Sequence, residues 1–149
     1  MFWVGKTRDG WLRDGIDEYA GRIRRYCPLE LTEVRDEKGG EADQVRLREC
    51  ERIERQLPAN AAVLILDERG EQLDSPGLAA MIGRQRDTVG GELVFVIGGA
   101  YGFSDRFRSR GRLLSLSKMT FTHQMVRPFL LEQIYRAFTI LNREPYHHE

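Results

Sequence analysis

Apolar positions along the chain switch between short continuous runs and helical spacing. Met1 to Val4 has the length of a short strand, and Leu12, Ile16, Tyr19, Ala20 and Ile23 recur on one face of a helix. Leu29, Leu31 and Val34 alternate with polar residues, the period of a half-buried strand. Glu41 to Gln56 reads as a heavily charged helix with sparse apolar positions, closed by Pro58. Ala62 to Leu66 is continuously apolar, as a strand covered on both faces of a parallel sheet should be. Ser75 followed by Pro76 predicts a helix start, with serine as cap and proline in the first turn; that helix continues to about Asp87 through Leu78, Met81 and Ile82. Leu93 to Ile97 and Leu113 to Leu116 predict two further strands, and Pro128 to about Leu141 a long final helix. Repeated strand and helix units predict an α/β fold, a mostly parallel sheet with helices on both faces. No repeat, low-complexity tract or linker interrupts the pattern, so residues 1–149 read as a single domain. Ligands of such folds sit outside the carboxyl ends of the strands.

Composition narrows the classes. With 41% apolar and 31% charged residues the chain is neither disordered nor membrane-embedded. Its longest apolar run, Ala61 to Leu66, falls far short of the roughly 18 residues of a membrane span. The apolar start is followed at once by Gly5, Lys6 and Arg8, unlike a secretory signal, and Cys27 and Cys50 are too few for a disulfide framework. A cytoplasmic protein with two reduced thiols is expected. The 23 basic and 23 acidic residues balance, which taken alone argues against a basic nucleic-acid binder. The balance is uneven along the chain, however. Residues 1–102 carry 15 basic and 19 acidic side chains, whereas residues 103–149 carry 8 and 4. Arg106, Arg108, Arg110 and Arg112 lead that basic third, and Arg22, Arg24 and Arg25 form a smaller cluster. Such clusters suit phosphate oxygens, or simply form a solvated face.

Candidate chemistry gathers at the ends of the predicted strands. Ile97-Gly98-Gly99-Ala100-Tyr101-Gly102 follows a buried strand, but Ile97 occupies the first glycine position of a dinucleotide fingerprint and no Gly-Lys-Ser/Thr ending is present. Leu66-Asp67-Glu68-Arg69-Gly70 ends the middle strand; its aspartate is suited either to a ribose hydroxyl or to a turn. Leu116-Ser117-Lys118-Met119-Thr120-Phe121-Thr122-His123 leads without a helix signal toward the last helix. Three strand ends thus supply loops of small or hydroxyl residues that are expected to converge on one ligand, with few charges for a triphosphate. A nucleoside-like ligand fits them better. At the carboxyl end Tyr146, His147, His148 and Glu149 follow Pro145. Adjacent side chains on a short tail rarely close a metal's coordination sphere, so no metal is expected, whereas an aromatic ring with polar partners suits a flipped RNA base.

Gly5-Lys6, Leu66-Asp67 with Gly70, Phe95-Val96-Ile97-Gly98-Gly99 with Gly102, Leu116-Ser117-Lys118-Met119-Thr120-Phe121, His123-Gln124-Met125-Val126-Arg127, Glu132-Gln133-Ile134-Tyr135-Arg136-Ala137 and Tyr146-His147 occur in that order. Together they resemble the RlmH family, SPOUT-class methyltransferases that modify a pseudouridine of bacterial 23S ribosomal RNA. The resemblance spans essentially the whole chain. It implies a deep trefoil knot near the carboxyl terminus that lodges S-adenosylmethionine, and a homodimer in which the cofactor of one subunit lies near residues of the other. It further implies cofactor contacts at Leu66, Gly98, Leu116, Ser117, Lys118, Met119, Thr120 and Phe121. Methylation of N3 requires loss of its proton, for which His123, Arg127, Arg136, Tyr146 and His147 are the candidates. The tail is favoured, Tyr146 for orientation and His147 for the proton, with Arg127 and Arg136 for backbone or anion contacts.

The chain departs from the family pattern in three places. It begins several residues later than is usual; Thr122 and Pro128 replace a proline and an aliphatic residue; and His148 stands in place of Lys or Arg. The leading expectation is a pseudouridine N3-methyltransferase acting on the assembled ribosome. Its rivals are a SPOUT enzyme with a transfer RNA or ribose 2′-hydroxyl target, and a non-catalytic ribosome-binding module.

Overall fold

The computed structural model describes residues 1–87 and 92–148, so Glu149 of the tail lies outside the described residues. Five strands, β1 (Phe2–Val4), β2 (Thr32–Val34), β3 (Ala62–Gln72), β4 (Leu93–Ile97) and β5 (Arg112–Ser115), form one sheet in the order β2-β1-β4-β3-β5. Every pairing is parallel. Five helices, α1 (Gly10–Ile23), α2 (Ala42–Glu54), α3 (Ser75–Arg86), α4 (Asp105–Arg108) and α5 (Val126–Leu141), complete the α/β fold expected from the pattern.

Strand alternation divides the core into two layers. Trp3, Leu64, Phe95, Ile97 and Leu114 face α1, α3 and α5, meeting Ile16, Leu78, Leu130, Leu131 and Ile134. The intervening residues Phe2, Val4, Val63, Ile65, Val94 and Val96 face α2 and α4, meeting Cys50, Ile53, Phe103 and Phe107. Helices therefore cover both faces, which explains the continuously apolar runs of β3 and β4. Among the described residues no helix is long and apolar enough to cross a membrane. Cys27 and Cys50 are free thiols.

Several boundaries differ from the sequence reading for physical reasons. The second strand is only Thr32–Val34, leaving Leu29 and Leu31 to pack from a loop. Asp74, not Ser75, caps α3, its carboxylate accepting from Gly77 N at 2.7 Å. A carboxylate is the stronger acceptor at the positive end of a helix. Ser75 is freed to donate to Gln133 Oε1 of α5 at 2.8 Å. Helix α5 starts at Val126, two residues before Pro128, because a missing N–H is harmless in a first turn. Strand β3 runs six residues past Leu66. Leu66 and Glu71 both pair with Leu114, so Asp67 to Gly70 bulge outward between them. Gly70 lies so close to β5 that a Cβ there would come within 2.5 Å of Leu114 backbone atoms. The four-residue α4 carried no periodicity signal and was legible only as an arginine run.

Candidate functional site

Past β5 the chain leaves the sheet edge and crosses the carboxyl ends of β3 and β4 before entering α5. This crossing encloses a cleft of about 800 Å³ lined by all three loops picked out from the sequence. Of the cofactor contacts expected from the family, Leu66, Gly98, Leu116, Ser117, Met119, Thr120 and Phe121 line it, while Lys118 does not. Local hydrogen bonds fix the crossing segment. Ser115 Oγ donates to Ser117 O at 2.9 Å, Met119 N to Ser117 Oγ at 2.9 Å, and Met125 N to Thr122 Oγ1 at 3.3 Å. Phe121 meets Phe129 of α5 edge to face, with ring centroids 5.6 Å apart. On the opposite wall Gly98 lies against Phe103, whose ring atoms would stand 3.1 Å from any Cβ. Apolar walls, hydroxyls and close backbone suit a nucleoside-like ligand.

Asp67 is not available as a free ribose ligand. Its carboxylate accepts from Arg108 Nε at 2.7 Å and from Arg69 N at 3.0 Å, and its side chain is only 3% exposed. His123 also lines the cleft. Burial, reinforced by the cationic Arg127 and Arg8, holds its imidazole below the ordinary range and therefore neutral near pH 7.

A second cleft, about 670 Å³, lies against the first. Trp11, Leu114, Ser115, Leu116, Ser117 and Phe121 line both and form the partition between them. Its far wall carries Glu132, Gln133, Arg136 and Tyr146. The tail reaches this place through a turn at Arg143, which takes a left-handed conformation (φ 57°). Arg143 N donates to Ile140 O at 3.1 Å and Glu144 N to Thr139 O at 2.9 Å, the paired bonds of a Schellman helix end. Tyr26 Oη then holds Glu144 at 2.6 Å, which pushes the Tyr26 phenol up to about 12.

Glu132 organises the far wall, although the sequence reading gave it no role. Its Oε1 accepts from Arg136 Nη2 at 2.6 Å, from Arg136 Nε at 3.1 Å and from Tyr146 Oη at 3.2 Å. Its spacing of four residues from Arg136 was a usable signal. The Arg136 guanidinium sits 4.8 Å from the Tyr146 ring centroid, and the Tyr135 ring meets Tyr146 edge to face at 4.7 Å. His147 Nδ1 lies 3.5 Å from Arg136 Nη1. Burial, with the neighbouring Tyr19 hydroxyl and Glu132, raises the Tyr146 phenol well above its ordinary value, so it stays protonated.

Arg127 lines neither cleft. It is fully buried, donating to Thr7 Oγ1 and to Val4 O at 2.7 Å each, with its guanidinium 5.4 Å from the Trp3 ring centroid. The run Arg106 to Arg112 is likewise engaged. Arg106 and Arg110 pair with Glu54, Arg108 with Asp67 and Asp105, and Arg112 with Glu71. The basic third of the sequence is therefore partly neutralised in space by carboxylates from the acidic part. Among the described residues no group of three or more His, Cys, Asp or Glu is placed to hold a metal.

Comparison with known proteins agrees with this geometry. A family model described as predicted SPOUT methyltransferase matches residues 1–147. The ribosomal RNA large subunit methyltransferase H of Pelobacter propionicus is 70% identical over 148 residues, covering 99% of this chain and 97% of that one. Proteins of the same name from Geobacter metallireducens and Geobacter sulfurreducens are 64% and 62% identical over 149 residues, at the same coverage. A cleft built where the strand ends meet the crossing segment, and a family match along nearly the whole length, place this chain in the SPOUT methyltransferase family.

Proposed function

We propose that the protein methylates N3 of a pseudouridine in 23S ribosomal RNA, using S-adenosylmethionine, as a cytoplasmic homodimer acting on the assembled ribosome. The observation that carries this reading is the pairing of a nucleoside-sized cleft with a second cleft built from Tyr146, Arg136 and Glu132, separated by one partition. The relatives' printed name supplies the RNA class.

Bound S-adenosylmethionine supplies an electrophilic methyl group. Leu66, Gly98, Leu116, Ser117, Met119, Thr120 and Phe121, which line the cleft, would hold the cofactor, through apolar contact, backbone and the two hydroxyls. The protein's remaining task is to orient the base and remove the N3 proton. Tyr146, protonated and held by Glu132, orients the ring by hydrogen bonding rather than by acting as a base. His147 takes the proton from N3, and Arg136, fixed by Glu132, stabilises the imide charge as it develops. Arg127, buried among backbone acceptors, is assigned to joining α5 to β1 instead of to substrate. His123 forms part of the cofactor wall in its neutral state.

The same arrangement supports a homodimer. Within one copy the tail residues occupy the far side of the partition from the cofactor loops. A second copy turned about a two-fold axis would bring its tail to the first copy's cofactor cleft, making each site a product of both chains.

Mass spectrometry of ribosomal RNA tests the assignment. A strain deleted for this gene should lack the N3-methylated pseudouridine and regain it when the gene is restored. Retention of the modification in the deletion strain would overturn the assignment.

A further inference from the structure

The tail that carries Tyr146 and His147 is fastened beside α1 as well as to α5. Tyr26 follows α1, its N–H donating to Ile23 O at 2.8 Å in the turn that closes the helix. Its ring stacks on Phe138 of α5, with centroids 5.4 Å apart and planes 5° from parallel. Its hydroxyl donates to Glu144 Oε2 at 2.6 Å, 118 residues further along the chain. A hydroxyl donating to a carboxylate over so short a distance makes a charge-assisted bond, stronger than one between neutral groups. The stack already fixes the ring, so little rotamer freedom remains for the bond to remove. Glu144 in turn sits between the left-handed turn at Arg143 and Pro145, and its carbonyl accepts from Tyr146 N at 2.9 Å. The Tyr26 ring also lies 6.1 Å from that of Tyr135, which meets Tyr146. Neither Tyr26 nor Glu144 is among the described residues that line the two clefts.

We infer that Tyr26 is a positioning residue, whose bond to Glu144 holds the tail in the place from which Tyr146 and His147 meet the target base. This inference rests on the RNA-methylating function proposed above. Both partners of the bond lie in one chain, so each copy would build its own tail before offering it to the other copy's cofactor cleft. A site that is competent for only part of the time binds its substrate more weakly, by the fraction in which it is competent. Losing the bond lowers that fraction, and a bound base restores the tail to its place. The cost therefore falls on KM and not on kcat. Tyr26 itself touches neither the base nor the methyl donor.

The test uses ribosomes from the deletion strain as substrate. Tyr26→Phe keeps the stack on Phe138 and removes only the hydroxyl. It is expected to raise KM for ribosomes at least about threefold, within the range for one hydrogen bond, at wild-type kcat. Cofactor affinity by calorimetry should stay at its wild-type value. Glu144→Ala should raise KM by a similar factor, and Glu144→Gln, which keeps an acceptor, by less. Combining Tyr26→Phe with Glu144→Ala should add nothing to either single change, because both act through one bond. A hydroxyl with a merely structural role would lower the urea midpoint and leave KM where it was. Wild-type KM in Tyr26→Phe, or factors that multiply in the double variant, would overturn the inference while leaving the methyltransferase reading intact. A wild-type protein unable to methylate ribosomal RNA would remove both this inference and the reading beneath it.

Discussion

Arg127 Nη2 donates to the main-chain carbonyl of Val4 at 2.7 Å, tying the start of the last helix to the end of the first strand across 123 positions of sequence. Its other terminal nitrogen holds Thr7 Oγ1, while its Nε is buried with no hydrogen-bond partner among the described residues. Burial lowers the guanidinium pKa to about 10, which still leaves it charged at neutral pH. Each buried acceptor left unpaired costs about 1–3 kcal/mol. Arg127→Ala should therefore lower unfolding free energy by about 3 kcal/mol in urea titrations. Arg127→Lys, with one compact donor group in place of a fork, should recover only part of that loss.

Gly70 and Gly111 are sites where only hydrogen fits. A Cβ at Gly111 would come within 2.3 Å of Val63 O, and one at Gly70 within 2.5 Å of Leu114 backbone, so neither can be relieved by a side-chain rotation. Gly70→Ala should destabilise by about 3 kcal/mol, the upper part of the range for overpacking. Because Leu114 belongs to the partition, the variant should also weaken cofactor binding in calorimetry by more than its loss of stability alone would produce at a temperature where it is fully folded.

Glu49 predicts a pH dependence. Its Oε1 accepts from Glu37 N at 3.0 Å, while Oε2 is buried without a partner and would stand 2.6 Å from a Cβ on Gly99. Burial raises this carboxyl above the ordinary value of 4.5. The folded state thus retains a proton that the unfolded state has already released. Stability from this group is complete below pH 4.5 and declines as pH rises through its folded-state pKa. Glu49→Gln keeps the acceptor for Glu37 and imitates the protonated acid. Urea midpoints measured from pH 4 to 8 should show the glutamine variant flatter with pH and more stable at neutrality; a wild type that gains stability across that window from this site would contradict the assignment.

Tail variants separate orientation from proton handling. His147→Ala should reduce kcat by at least about a hundredfold, the lower range for loss of a positioned acid–base group, with cofactor affinity unchanged. Tyr146→Phe removes only the hydroxyl held by Glu132 and keeps the ring packed on Tyr135 and Arg136, so its effect should fall mainly on KM. Single-turnover assays on ribosomes from a deletion strain make the distinction.

The arginine run should contribute little to nonspecific RNA affinity. Arg106 and Arg110 share Glu54, with nearest N–O separations of 3.7 and 3.5 Å. Were both free to neutralise phosphates, replacing them with glutamine would change the salt slope of single-strand binding by about 1.4. A smaller change is expected in filter-binding measurements on naked RNA.

The layer fold was legible because its evidence is periodic. Ala62 to Leu66 and Leu93 to Ile97 announce covered strands, and Leu12, Ile16, Ala20 and Ile23 announce a buried helix face. Local departures escaped because they depend on partners far away. The extension of β3 past Leu66 is set by a second pairing with Leu114, and the start of α3 by competition between two adjacent capping residues, Asp74 and Ser75. The loops that line the first cleft were legible as strand ends rich in glycine and hydroxyls. The contacts of Glu132 with Arg136 and Tyr146 were missed because a carboxylate on a helix ordinarily signals a solvated face. Arg127 was placed in the site by its position in a motif, whereas its surroundings are packing.

The partition formed by Leu114 to Ser117, Trp11 and Phe121 has a thermodynamic consequence. Any occupant that shifts this shared layer alters the room on its other side, so filling one cleft changes the affinity of the other by some factor, and the reverse change must have the same size. On the proposed function, methyl donor and RNA would bind as linked ligands. The spent thioether product, lacking the transferred methyl, would meet the same layer with a different shape, and that difference would favour release of the modified RNA.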